Sequence, residues 1–405
     1  MSMPKNSPNR LPFTELMSLI PLPPSPETEN VHGERGEERF MSIRPSYNPG
    51  QGSAYGGHVF AQSVWAASFT VGEGMVVHNV HGFFPLPGLV DRPYIYSITH
   101  LSEGRSYCTR QVTVRQPLSP SKSTSKSSYS SSDPVLKFSI EDVQGELGKI
   151  CFSSMISFKR DEEYVKGHQI GVGVRERYGS IVEGKRPESW PLVPRVDAPW
   201  ANRATARYPT PNTFPGLTLH RVDMSPFNTT LPPTSYRQLT YYTPLGSLPL
   251  SSPNLHACAH LYASDRNSLY LIPNALNTAE EIRQMGSLSH SVVFHVSSQE
   301  LLMREGEWCV QEAWTPRSGS GRGIHESWIW KLEDGEEEGG KGRDVHIASS
   351  WQEGVVRYSE KREEQKQRLL WFEGMRKMGM VGEDVCVEEG LPPLSDGKER
   401  PRGKL

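Results

Sequence analysis

The sequence predicts an α+β protein made of two consecutive units, each a helix followed by antiparallel strands. Three observations carry this. Residues 40–160 and 237–357 each hold one helical stretch and several runs rich in Val, Ile, Tyr, Phe and Thr. The segments between and outside these blocks are rich in proline or charge. The two blocks also share short strings in the same order.

In chain order, residues 1–38 are polar and Pro-rich and read as a flexible arm, with one helical turn near 13–19. The first unit spans 39–160. Its helix opens on Gly56-Gly57-His58, with Phe60, Val64 and Ala67 at helical spacing. Strands are expected at 76–84, 94–101, 106–115, 136–143 and 149–159. Between two of them, 119–132 is a serine-rich run that cannot supply a core and reads as a disordered insertion. Residues 161–235 read as a connecting segment laid across the sheets. The second unit spans 236–358, with a helical stretch near 257–271 and strands at 237–243, 291–294, 307–315, 323–331 and 346–356. Residues 359–405 read as an amphipathic helix, carrying Leu369, Leu370, Trp371 and Phe372, followed by a tail.

Composition excludes several function classes. The 405 residues carry a formal net charge of −2, so no global field draws the chain to nucleic acid or an anionic membrane. The N-terminal apolar patch is broken by Glu15 and by prolines. It therefore forms neither a secretory signal nor a span, which needs ~20 apolar residues. A soluble intracellular protein is expected. The five cysteines are odd in number and form no C-x-x-C pair, so they read as reduced thiols rather than disulfides or zinc ligands. His78, His81, His290 and His295 lack the spacing of a zinc helix and read as ordinary strand residues. No metal and no cofactor is expected. The chain ends Gly403-Lys404-Leu405, similar to the Ser-Lys-Leu peroxisomal address.

The shared strings define a repeat. Tyr55-Gly56-Gly57-His58 is laid on Tyr262-Ala263-Ser264-Asp265, each taken to open its helix. His81-Gly82-Phe83-Phe84 is laid on His290-Ser291-Val292-Val293, and Glu103-Gly104-Arg105-Ser106 on Ser320-Gly321-Arg322-Gly323. Residues 149–160 and 346–357 are matching terminal strands. A helix wrapped by a meandering sheet is the hot-dog arrangement, here present twice.

At these residues the chain resembles the type II acyl-CoA thioesterases, bacterial and peroxisomal. The strings concerned are Tyr55-Gly56-Gly57-His58-Val59-Phe60-Ala61-Gln62, His81-Gly82-Phe83-Phe84-Pro85-Leu86-Pro87-Gly88, Tyr262-Ala263-Ser264-Asp265, Ser287-Leu288-Ser289-His290 and Gln352-Glu353-Gly354. The resemblance implies a double hot dog with one active site, acyl-CoA as substrate, and an Asp, hydroxyl and Gln trio. Carried over by residue, the trio is Asp265, Ser287 and Gln352, with His58, His78 and Met155 at the matching places of the first unit. It also implies a peroxisomal home, with a cytoplasmic one as alternative, and an import receptor reading the last three residues. A homodimer is compatible with it.

These residue types suit thioester hydrolysis. A carboxylate accepts a proton from water, and a hydroxyl and an amide orient that water. Backbone N–H groups of Gly56, Gly57 and His58 at a helix start are the candidates for holding the oxyanion. Each residue has a plain competitor: Asp265 as a helix-start acid, Ser287 as a strand serine, Gln352 as a buried amide with a partner. The G-x-S-x-G elbow of serine hydrolases is absent. A hot-dog enoyl-CoA hydratase fits less well, because 265–270 lacks its Pro and His. A non-catalytic acyl-CoA-binding hot dog is the alternative outside the enzymes.

Overall fold

The computed structural model describes residues 10–24, 37–49, 53–119, 138–162, 166–207, 211–333 and 342–358. The serine-rich insertion (but for residue 119), most of the acidic loop after residue 333, and everything from 359 to the terminal Gly403-Lys404-Leu405 lie outside them.

Among the described residues the strands are β1 (Leu19–Leu22), β2 (Glu38–Ser42), β3 (Met75–Phe83), β4 (Ile95–Glu103), β5 (Tyr107–Arg115), β6 (Phe152–Arg160) and β7 (Leu217–Arg221), then β8 (Gln238–Pro244), β9 (Ile282–Phe294), β10 (Cys309–Trp314), β11 (Ser318–Gly319), β12 (Arg322–Glu333) and β13 (Arg343–Tyr358). They join in the order β1-β2-β4-β5-β6-β3-β9-β13-β12-β10-β8-β7, with β11 paired to β12. The two halves mirror each other about the antiparallel β3–β9 seam, where Asn79 faces Val293 and Phe83 faces Ser289. Strand alternation decides which face is inside. Along β5, Cys108, Arg110, Val112 and Val114 point inward and are buried.

Two central helices, Gly56–Ser68 and Pro253–Ser264, fill the sheet's inner face. Both are rich in small residues, among them Ala61, Ala66 and Ala67 in the first and Ala257, Ala259 and Ala263 in the second, all buried. Small side chains let the helices lie close together. They run antiparallel. The start of the first meets the end of the second through Gly57 N–H donating to Asp265 (2.7 Å). At the opposite end, Asn254 accepts from Val77 N–H (2.9 Å) and donates to the Met75 carbonyl (3.0 Å).

The structure corrects several sequence expectations. The second helix begins at Pro253, a residue suited to the first helical position, not near 257. Asp265 therefore ends this helix, whereas Gly56 begins the first, so the first string of the repeat does not superpose. The structural counterpart of Asp265 is Phe69, the residue that follows Ser68, and not His58. Residues 140–144 form a short helix rather than a strand, because Ser139 and Asp142 make a reciprocal capping box. The described part of the N-terminal arm is packed: Phe13 and Leu16 are fully buried, and β1 pairs with β2. The connecting segment contributes β7 to the sheet's far end.

Phe13 meets Tyr262 edge-to-face at 5.7 Å. Phe13→Ala is expected to cost about 3–5 kcal/mol, read as a lower denaturant midpoint at unchanged slope. An unchanged midpoint would mean the arm is not part of the folded core.

Candidate active site

The junction of the helix ends carries the polar cluster. Asp265 follows the last turn of the second helix, and Asn267 next adopts left-handed backbone (φ 57°), which Asn tolerates better than most residues. The turn is fixed from outside by the connecting segment. The Pro194 carbonyl accepts from Arg266 and from Asn267, both at 2.8 Å. Arg266 also stacks over Phe214 at 4.6 Å.

Ser287 arrives on β9 and Gln352 on β13, neighbouring strands in which Ser287 faces Gly354. Gln352 Nε2 donates to Asp265 Oδ1 (2.6 Å) and to Ser287 Oγ (2.8 Å), and Ser287 Oγ donates to Asp265 Oδ1 at 3.5 Å. The three residues, distant in sequence, thus touch directly. Ser268, one turn after Asp265, also reaches Oδ1 (3.4 Å) and the Asp265 carbonyl (3.1 Å). The sequence signal for it was the i, i+3 spacing from the Asp, which went unused.

Asp265 is 8% exposed. Burial raises its pKa from 3.8 to about 6, against the opposing pull of hydrogen bonds from Gln352, Gly57 N–H, Ser268 and Ser287. Its Oδ1 is crowded with donors, while Oδ2 accepts from Gly57 N–H and lies beside Gly56. A Cβ at Gly56 would come 3.0 Å from Oδ2 and 3.2 Å from the Phe84 ring, so glycine keeps that approach open.

A cavity of about 480 Å³ opens onto this carboxylate, lined by Asp265, Ser287 and Gly56 with Phe84, Leu86 and Tyr94 of the first unit. Gln352 is fully buried behind the other two and is not part of the wall. A larger concavity of about 850 Å³ lies between the connecting segment and β8 and contains none of these residues.

Of the three backbone candidates for an oxyanion, only Gly56 faces the cavity. The Gly57 N–H is engaged by Asp265, and the His58 N–H by the Tyr55 carbonyl (3.1 Å). The His58 ring is fully buried against Gln62 (3.1 Å), and burial lowers its pKa to about 4, so it is a neutral core residue. The other histidines have local partners: His78 with Ser157, His290 with Ser264 and the Phe60 ring, His295 with Ser349. Among the described residues no group of His, Cys, Asp and Glu is arranged to hold a metal ion. None of the described helices is long and apolar enough to cross a membrane.

Known proteins agree with this architecture. Residues 43–125 match the family model of the acyl-CoA thioesterase N-terminal domain. Human acyl-coenzyme A thioesterase 8 is 23% identical over 308 residues, 75% of this chain and 80% of that protein. Acyl-CoA thioesterase 2 of Haemophilus influenzae is 33% identical over 73 residues, 18% of this chain and 23% of that protein. Among solved structures, an acyl-CoA thioesterase II from Mycobacterium marinum shares the fold (TM-score 0.53, 21% identity, 86% of this chain and 98% of that one). So does a hot-dog protein from Alicyclobacillus acidocaldarius (TM-score 0.53, 12% identity, the same coverages). The fold is therefore a double hot dog, and its residues 43–125 resemble an acyl-CoA thioesterase N-terminal domain. The curated relatives it resembles over three quarters of its length are acyl-coenzyme A thioesterases.

The raised pKa has a stability consequence whose sign is fixed. Between 3.8 and about 6 the folded state holds a proton that the unfolded state has lost, so stability falls as pH rises through this window. Above about 6 the full penalty of a buried carboxylate remains. Asp265→Asn removes the charge. It is expected to melt higher than the native chain at pH 8, by an amount on the order of 2–3 kcal/mol, with the gain disappearing towards pH 4. Equal melting temperatures at both pH values would show that the carboxylate is not destabilised by burial.

Proposed function

We propose that the chain hydrolyses acyl-CoA thioesters to free acid and CoA, with Asp265 as base, Ser287 orienting the attacking water and Gln352 positioning both. The observation that supports this most is the mutual contact of the three side chains, two of them at the wall of a cavity that is apolar on its far side. A thioester carbonyl seated beside Asp265 and Ser287 would place its acyl chain along Val59, Phe84, Leu86 and Tyr94, which line the same cavity.

The chemistry follows from the geometry. Water bound at Ser287 gives a proton to Asp265 as its oxygen attacks the carbonyl carbon. The resulting oxyanion is held by the Gly56 N–H at the start of the first helix, the one of the three candidates on the cavity wall. Collapse of the intermediate breaks the carbon–sulfur bond, and the proton on Asp265 passes to the departing sulfur. A base with a pKa near 6 is ionised at neutral pH yet basic enough to assist. Gln352 acts without touching the water: its two donated bonds fix the carboxylate and the hydroxyl relative to each other. Asp265 at a helix end could alternatively be a plain structural acid, but a buried carboxylate that raises its own pKa does not serve the fold.

With a medium-chain acyl-CoA and a thiol reagent, Asp265→Asn is expected to lose roughly 100-fold or more in kcat with little change in KM. The kcat/KM of the native enzyme should fall below about pH 6, as Asp265 takes up its proton. Native-like turnover in the variant would remove Asp265 from the mechanism.

The C-terminal Gly403-Lys404-Leu405 supports a peroxisomal matrix location through an import receptor. Deleting these three residues from a tagged chain should move it from peroxisomes to the cytosol. An unchanged distribution would overturn the address.

A further inference from the structure

A second concavity, of about 530 Å³, lies beside the catalytic one. Its wall is made by Arg283, Arg322 and Arg357 with the hairpin residues 318–321, Val356 and Tyr358. Three arginines thus line it, and no carboxylate is part of the described lining.

The two concavities share their strands. Gln284, Met285, Gly286 and Ser287 of β9 line the catalytic cavity, and Arg283 continues the same strand into the basic one. On β13, Val355 lines the first and Val356 and Arg357 the second. Gln284 and Arg357 are cross-strand partners, and Arg357 donates to Gln284 Oε1 at 3.1 Å. That acceptor is a neutral amide, which leaves the charge of Arg357 uncompensated by this bond. From Ser287 to Arg283 is four residues, on the order of 13 Å of strand. A Cβ at Gly286, between them, would meet nothing within 4 Å, so the route is open.

The hairpin brings Arg322 to the same place. Ser320 (φ 52°) and Gly321 (φ 73°) are consecutive left-handed residues, as a two-residue β-hairpin turn requires. Arg322 pairs with Glu353 at 2.8 Å, but its side chain is 58% exposed. A water-exposed pair of this kind is weak and yields readily to a doubly charged phosphate. The arginines nearer the carboxylate are differently placed. Arg266 is held by Pro194 and Phe214, and Arg195 donates to the carbonyls of Asn48 and Pro49.

We propose that this basic pocket binds the phosphate end of CoA, with the pantetheine arm laid along β9 past Gly286 to the thioester at Asp265. The proposal rests on the thioesterase reading and adds the half of the substrate that the catalytic cavity does not explain. Arginine forks suit phosphate oxygens, and the pocket lies where a linear substrate must leave the apolar arm on the far side of Asp265.

The test compares three thioesters of one acyl chain, octanoyl-CoA, octanoyl-dephospho-CoA and octanoyl-pantetheine, on the full-length chain and on Arg357→Ala and Arg322→Ala. For octanoyl-CoA each variant should raise KM by about ten- to a hundredfold with kcat unchanged. For octanoyl-pantetheine, which has no phosphate, native and variant KM should agree. Loss of the KM penalty on octanoyl-dephospho-CoA assigns the pocket to the 3′-phosphate, and its persistence assigns it to the diphosphate; both outcomes support the pocket. Unchanged KM for octanoyl-CoA, or an equal rise for octanoyl-pantetheine, overturns it. Should the native chain hydrolyse none of the three, the thioesterase reading fails separately. Calorimetric titration with CoA alone then decides the pocket: tight binding lost in Arg357→Ala supports it, and equal or absent binding overturns it.

Discussion

The site depends on one hydrogen bond between the two halves, from the Gly57 N–H at the start of the first helix to Asp265 at the end of the second. A helix C-terminus carries partial negative charge and disfavours a carboxylate; a helix N-terminus favours one. Asp265 stands at both. The first unit supplies the donor that makes a buried carboxylate tolerable, and burial still leaves it a pKa near 6. Gly56 and the rings of Phe84 and Tyr94 come from the same unit. The unit without the trio therefore supplies half of the candidate site.

The same geometry is not repeated at the other end of the helix pair. The position equivalent to Asp265 at the end of the first helix is Phe69, which is about half exposed. The helix start facing that end belongs to Asn254, whose side chain is bonded to the backbone of β3. Met155 of β6, which the resemblance sets against Gln352, is exposed on the outer face beside His81, whereas Gln352 is buried on the inner face, so the two are not structural counterparts. Phe69 brings no carboxylate to that end, and Met155 brings no amide to the inner face.

Much of this was legible in the sequence, with instructive exceptions. The strands read from composition at 106–115 and 323–331 are present, and their one buried face gives them period two. The trio was read by resemblance, and its members do meet. What failed was the phase of the second helix. The stretch 257–271 looked helical throughout, so Asp265 was set at a start, although Pro253 marks the true beginning and Asn267 breaks the helix beyond it. The strand expected at 136–143 gave way to a local Ser139–Asp142 cap, a short-range signal stronger than the β-prone composition around it. The packing of Phe13 and the contribution of Leu217–Arg221 to the sheet depend on contacts more than 200 residues away or at the sheet's far end, and no local pattern encodes them. The same holds for the Gly57–Asp265 contact.

The seam between β3 and β9 closes a loop of chain more than 200 residues long, and Gln352 lies on the last described strand. Contacts of such separation form late, after local elements have settled. A ribosome-bound chain can thus complete its first half, and even set Gly57 and Phe84 in place, while lacking every polar group of the site. The three-way contact is completed only when the last described strand slots between β9 and β12. A nascent or truncated product that ends before β13 accordingly has the cavity's apolar rings but not Gln352.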